Sequence, residues 1–382
     1  MTAITYQGLG LGKRVIFSLV PVLILLLTAE IVVRLSGAAQ TCPLPGYLDQ
    51  FLWQCDPLLH FQMNRNLHVE GQPLNSLGMR GPLLDAGAKH RMIALGDSVT
   101  FGFINDPKFF VHLPYPERLQ ELAEKRAGHG ALSVLNAGVC GYNTYHGIML
   151  LRTKLRDTSA DLILVQYGWN DLLTTTAYVD SNAFHEPASP LVRAGEDLLL
   201  HTALYPFALR LGMELDHYRR ARAGADSKEP NWQPLGTWRP NVPVTDYEHN
   251  LRRLIQLARG RGMIVWLATS PDAFTTDDYR GRENAYDVSA SVQLGFLRFG
   301  GITSFRDLDD IHARYNDAVR RIGTELGVPV VDVDAAFRAR SAEHLFEAID
   351  AIHPTEAGHA VEADALLAQL EASGMLASTA PR

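Results

Sequence analysis

Three side chains in this sequence could together activate a hydroxyl: Ser98 in ALGDSVTFG, and Asp350 and His353 in DAIHPTEAGH. A serine hydroxyl is a poor nucleophile until a base takes its proton, and an imidazole is a better base when a carboxylate fixes its tautomer and stabilises the imidazolium. Asp350 and His353 stand three residues apart, a spacing that brings carboxylate and imidazole together in one helical turn or a tight loop. Ser98 follows a run of apolar residues at a point where a strand should give way to a helix, so its N–H joins the free donors of a helix N-terminus. Alone, GDS reads as a capping serine after a tight turn, and DAIHP as a surface helix start with Pro354 at an early position. A nucleophile, a base and a carboxylate occurring together make these two ordinary motifs a candidate triad.

Acyl transfer also needs donors for the oxyanion. Backbone N–H groups approach a substrate closely where side chains are absent, which gives a reason for Gly141 in VCGYNT. A neutral amide such as Asn170 in YGWND supplies a further donor, although a glycine turn and an asparagine cap are the ordinary readings of these residues. No CxxC, HExxH or similar ligand spacing occurs, so the chemistry is expected to need neither metal nor cofactor.

These residues need a scaffold that presents them on one edge. From residue 91 onward, apolar runs rich in β-branched residues alternate with helical patterns: RMIALGD, LSVLNAGV (132–139), DLILVQYG (161–168), MIVWLATS (263–270) and VPVVDVD (328–334). Continuous apolar runs suit strands buried on both faces, and helices between them suit parallel crossovers, so the pattern predicts a doubly wound α/β sheet. Helices are expected over 116–127, 246–261 and 307–327. In the last, Leu308, Ile311, Tyr315, Val319, Ile322 and Leu326 recur at helical spacing and belong to the core. In such sheets ligands bind beyond the carboxyl ends of the strands, where Ser98, Gly141 and Asn170 would lie.

GDS with Ser98, the glycine after the second strand at Gly141, GWND with Asn170, and DAIHP with Asp350 and His353 resemble, in order, the four blocks of the SGNH hydrolases, also called GDSL esterases and lipases. The resemblance covers roughly residues 91–370. It implies a three-layer α/β/α sandwich of flavodoxin-like kind with a mostly parallel five-stranded sheet. It further implies that Ser98 is nucleophile and first oxyanion donor, that Gly141 and Asn170 complete the oxyanion hole, and that Asp350 and His353 finish the triad. AGVCG offers both Gly138 and Gly141, and Gly141 matches the family position better. The segment NSLGMRGP is similar to one found ahead of the GDS strand in envelope-associated members.

The net charge of the 382 residues is −7 without any long block of like charge, which argues against a nucleic-acid partner. The N-terminus differs from the remainder. Val15–Val33 is apolar but for Ser18, Pro21, Thr28 and Glu30, and a helix of that length spans about 28 Å, enough to cross a bilayer. A signal peptide cleaved near Gly37-Ala38-Ala39 is the competing reading, but signal cores are usually only about 7 to 15 residues long. Lys13 and Arg14 precede the span and favour a cytoplasmic tail over 1–14, a transmembrane anchor over 15–34 and an exported remainder. That remainder divides into a preface over 35–90 and a hydrolase domain over 91–375 with an insertion at 172–245. Within the insertion Leu200, Leu204, Phe207, Ala208, Leu211, Leu215 and Tyr218 follow a helical course, read as a surface helix on the sheet, a lid, or a face resting on the membrane.

Cys42 and Cys55 bracket a short segment where an exported location permits a disulfide, and Cys140 falls inside the core pattern. The whole points to a membrane-anchored serine esterase acting on an acyl or acetyl ester of an envelope carbohydrate or lipid. An O-acyltransferase or deacetylase in polysaccharide modification, with Trp232, Trp238 and Arg239 of the insertion available to a sugar, is the second reading. A catalytically silent binding module is the third.

Overall fold

The computed structural model describes residues 10–38, 51–104, 108–172, 186–187, 189–222, 240–274, 305–346 and 351–376. Cys42, Trp232, Trp238, Arg239 and Asp350 lie outside the described residues. The chain forms two compact units. The smaller takes Met1–Leu48, Gln54–Phe61 and Pro187–Ser227, and the larger takes the remainder.

The first element is α1 (Leu11–Ser36), which ends where Gly37 adopts φ +65°. Its segment Phe17–Ser36 has a mean hydropathy of 2.2 and is long and apolar enough to cross a membrane, a test that a signal sequence also meets. The preface contains two small sheets, β1 (Trp53–Asp56) with β2 (His60–Met63), and β3 (His68–Val69) antiparallel to β4 (Gln72–Pro73). Cys55 is disulfide-bonded, whereas Cys140 is a free, buried thiol.

The sheet begins with β5 (Arg91–Gly96), followed by α2 (Ser98–Phe101), α3 (Tyr115–Ala127), β6 (Ser133–Gly138), α4 (Thr144–Arg152), β7 (Leu162–Gln166) and α5 (Trp169–Leu172). The insertion then supplies α6 (Pro190–Leu199) and α7 (Leu204–Arg222), both in the smaller unit. The amphipathic helix expected there therefore exists, but it clusters with α1 rather than with the sheet. The chain continues with α8 (Val244–Arg259), β8 (Ile264–Ala268), α9 (Phe305–Leu326), β9 (Val330–Val331), α10 (Val333–Arg338) and α11 (Glu356–Ala372).

All five strands of the main sheet are parallel, in the order β6-β5-β7-β8-β9. This is the flavodoxin-like order, in which the chain runs outward from β5 to one edge and then steps across to the other. The five strands are those the apolar runs predict, and β5, β6 and β7 are buried almost throughout, as strands covered on both faces must be. Leu308, Tyr315, Val319 and Ile322 of α9 are buried, whereas Ile311 and Leu326 of the same stripe are half-buried, so four of its six residues are core. The order puts β5 between β6 and β7, with Gly96 in register with both Gly138 and Gln166. The segments that leave these three strands thus emerge side by side.

Candidate active site

Each of the three adjacent strand ends carries one of the expected residues. After β5, the chain turns at Asp97, whose carboxylate accepts the Val99 N–H at 2.9 Å and caps α2. This cap makes Ser98 the first residue of α2, with its side chain half-buried at the carboxyl edge of the sheet. Asp97 is itself buried, and loss of hydration pushes its pKa up to about 6 against the opposing pull of the Val99 N–H and of His353.

After β6, Tyr142 N–H donates to Val139 at 3.1 Å, and the turn requires φ +88° at Gly141, a conformation that suits glycine. Gly138 has a different task. A Cβ there would lie 2.3 Å from the Phe101 nitrogen, so its missing side chain is what lets α2 lie against the end of β6. After β7, Asn170 is buried in α5, and its Nδ2 donates to the carbonyl of Tyr142 at 3.0 Å, leaving a second amide hydrogen. Its neighbour Asp171 is also buried and accepts from the Thr144 N–H at 3.1 Å and from the Thr144 hydroxyl. Loss of hydration drives the Asp171 pKa up to about 8. Asn170 and Asp171 thereby tie the end of β7 to the loop that holds Gly141.

His353 reaches the same edge from far along the chain. Its loop is pinned by the Ala273 N–H donating to Ala351 at 3.0 Å, a bridge between Phe346 and Pro354, and the Thr355 N–H donating to Leu345 at 2.9 Å. Thr355 caps α11, so Pro354 lies just before the cap rather than in the helix. The outcome is a distance of 2.9 Å between His353 Nε2 and Ser98 Oγ. Phe103 packs edge-on against the imidazole, with 5.1 Å between ring centroids.

Among the described residues, no group of His, Cys, Asp and Glu could hold a metal ion. The family model for the GDSL-like lipase/acylhydrolase family matches residues 94–361. The chain belongs to that family. It is accordingly an ester-hydrolysing enzyme, and this lipase/acylhydrolase carries its GDS block at the strand end where Ser98 meets His353.

Among solved structures, the chain is similar at 18% identity to LAE5, an alpha/beta hydrolase enzyme from the metagenome of Lake Arreo, with 76% of this chain and 98% of that chain covered and a TM-score of 0.43. It is similar at 16% identity to Axe2, an acetylxylan esterase from Geobacillus stearothermophilus, with 74% and 95% covered and a TM-score of 0.43. The lipase/acylhydrolase from Enterococcus faecalis is 12% identical, with 74% and 96% covered and a TM-score of 0.43. A search of the curated proteins gives no match.

Two groups around the site escape a reading of the sequence. Arg80, from NSLGMRGP, is buried beneath α2 and donates to the carbonyls of Phe101, Val111 and His112 at 3.0, 2.8 and 3.0 Å. That motif was the available signal, but the acceptors are main-chain atoms that no pattern announces. Next to Asn170 in the chain, the ring of Trp169 stacks on His312 with centroids 4.1 Å apart, and His312 Nδ1 lies 3.0 Å from Asp272. Burial raises the Asp272 pKa, but the hydrogen bond with His312 and the charges of His312 and Arg338 outweigh it and hold the carboxyl below its usual range.

Proposed function

We propose that Ser98 attacks the carbonyl carbon of a carboxylic ester, with His353 as general base and Asp350 as the carboxylate that orients its ring. The observation that carries this reading is the 2.9 Å between Ser98 Oγ and His353 Nε2, a hydrogen-bond distance across which a proton transfers directly. As Oγ bonds to carbon, its proton passes to Nε2 and the carbonyl electron pair moves onto oxygen. The N–H groups of Ser98 and Gly141 and the amide of Asn170 receive that charge; these residues follow three neighbouring strands in one sheet. Collapse of the intermediate breaks the ester C–O bond, and the departing alcohol takes the proton from Nε2. Water, deprotonated by the same nitrogen, then releases the acid and restores Ser98.

In this reading α1 stays attached and crosses the membrane, with Lys13 and Arg14 on the cytoplasmic side and the hydrolase outside. The ester then belongs to an envelope carbohydrate or lipid. The test is a series of activated esters of increasing acyl length, assayed on the full chain in detergent beside its Ser98→Ala variant. Turnover that disappears in Ser98→Ala is expected, and equal turnover in the two proteins overturns the assignment. Preference for acetyl points to a carbohydrate ester and preference for long chains to a lipid. Acyl groups recovered on added oligosaccharide instead of as free acid replace hydrolysis by transfer.

A further inference from the structure

α6 has its amphipathic pattern turned outward. Leu191, Val192, Leu198 and Leu199 are 82%, 55%, 71% and 46% exposed. Arg193, Glu196 and Asp197, on the opposite side, are half-buried against the protein. Arg193 donates to the carbonyl of Pro187 at 2.8 Å, and Glu196 accepts from the Tyr205 hydroxyl at 3.1 Å. A helix facing water shows the reverse arrangement, with its charged residues outside. On α7 the exposed Leu211, Leu215 and Tyr218 extend the apolar surface at helical spacing, and the exposed Arg219 and Arg222 follow.

The corner between these helices is fastened to α1. Glu30 of α1 accepts the N–H groups of Ala203 and Leu204 at 2.8 and 2.9 Å, and Arg34 donates to the carbonyl of His201 at 2.8 Å. One helix further, Arg210 donates to the carbonyl of Ala38 at 2.6 Å. Glu30 also pairs with Arg34 of its own helix at 2.5 Å, so this carboxylate within an apolar span is partnered by the corner and by α1 together. Glu30 lies six residues before the end of α1, which sets the corner roughly 9 Å short of that end. An amphipathic helix lying in a membrane interface buries its apolar face by about 5–10 Å, the same depth.

We propose that α6 and the apolar face of α7 lie in the headgroup–acyl boundary of the phospholipid bilayer that α1 crosses. The inference rests on the reading of α1 as a membrane anchor and adds a second point of contact to it. Leu191, Val192, Leu198 and Leu199 enter the acyl region, Tyr218 lies at headgroup level, and Arg219 and Arg222 meet anionic lipid phosphates.

The test places one cysteine at a time in the full chain, labels it with a nitroxide and reconstitutes the protein in vesicles of phosphatidylethanolamine and phosphatidylglycerol. Cys55 is disulfide-bonded and the thiol of Cys140 is buried with its pKa pushed up, so the unsubstituted chain serves as the unlabelled control. Labels at Leu198→Cys and Leu215→Cys are expected to be relaxed by oxygen and shielded from a water-soluble nickel complex, like a label at Leu23→Cys in α1. A label at Leu83→Cys, exposed on the larger unit, is expected to show the opposite ratio, several-fold different. Nickel access at Leu198 equal to that at Leu83, with Leu23 still in lipid, overturns the inference and leaves the anchor standing. Spin–spin broadening at Leu198 that unlabelled protein dilutes away also overturns it, because a second copy then covers the face. Nickel access at Leu23 itself removes both the anchor and the inference.

Discussion

Arg80 Nη1 donates at 3.0 Å to the carbonyl of Phe101, the last residue of the four-residue helix that begins with Ser98. The same guanidinium holds the carbonyls of Val111 and His112 in the loop that leads to α3. One side chain from the preface therefore fixes the far end of the helix bearing the serine. Arg80→Met leaves three carbonyls without this donor and removes the cation beside Glu117, a change expected to cost about 3 kcal/mol of stability and to lower kcat. Arg80→Lys should recover only part of both, because an ammonium cannot span three acceptors as a planar fork does. Urea unfolding and steady-state kinetics on the three proteins measure this, and a folded Arg80→Met protein with unchanged kcat would confine the guanidinium to stability.

Ser98 and His353 should behave as one unit. Replacing either by alanine is expected to lower kcat by similar factors, and the double variant should fall no further, since neither works without the other. Asp350→Asn should leave more activity than either, because it removes only orientation. Asn170→Ala should lower kcat on the order of 10² to 10³ through loss of one oxyanion donor. Additive losses in the Ser98→Ala, His353→Ala double variant would contradict a shared proton transfer.

Gly138, the last residue of β6, and Gly141, in the turn beyond it, should respond differently to substitution. Gly138→Ala sets a Cβ 2.3 Å from the Phe101 nitrogen and forces α2 to move, so it is expected to destabilise by roughly 1–3 kcal/mol and to displace Ser98. Gly141→Ala imposes φ +88° on a residue with a side chain, at roughly 1–2 kcal/mol, and distorts a proposed oxyanion donor without touching α2. Unfolding and kcat should therefore both respond at Gly138. Wild-type values of both in Gly138→Ala would show that β6 relaxes without moving the serine.

Stability should fall as pH rises from about 5 to about 8.5. Burial drives the pKa of Glu362 in α11 up to about 8, and the neighbouring Gln166 only partly opposes this. The folded protein thus holds the proton that the unfolded chain releases near the ordinary carboxylate value. The resulting stabilisation is complete below that value and disappears as pH climbs through about 8. Glu362→Gln, which keeps the shape and cannot ionise, should flatten this slope, raising stability at pH 8.5 relative to the parent. Denaturation midpoints at pH 5, 7 and 8.5 check it, and parallel slopes for the two proteins would assign the pH dependence to other groups.

Much of this protein could be read along the chain. The five strands are apolar because parallel strands bury both faces, and the bounds of α3, α8 and α9 fall within a few residues of those expected from helical periodicity. GDS and DAIHP mark Ser98 and His353 because a hydroxyl and an imidazole, the proposed nucleophile and base, are recognised by residue type. The 2.9 Å between them depends on the folded chain, since it spans a sequence separation of 255 residues. The stacking of Trp169 on His312 is likewise invisible in the sequence, where the two residues stand far apart.

What the sequence determined by itself is therefore the local part: which segments are strands and helices, which residue types could react, and which span could enter a membrane. These follow from periodicity and side-chain chemistry, which are properties of neighbours in the chain. Only the tertiary structure decided that Arg80 grips three main-chain carbonyls, that Gly138 rather than Gly141 supports α2, and that α6 turns its leucines outward. Backbone acceptors carry no sequence signature, and a helical pattern defines an apolar face without specifying what lies opposite it. Which side of α6 meets the protein was settled by contacts such as Arg193 with Pro187 and Glu196 with Tyr205, and these exist only once the chain has folded.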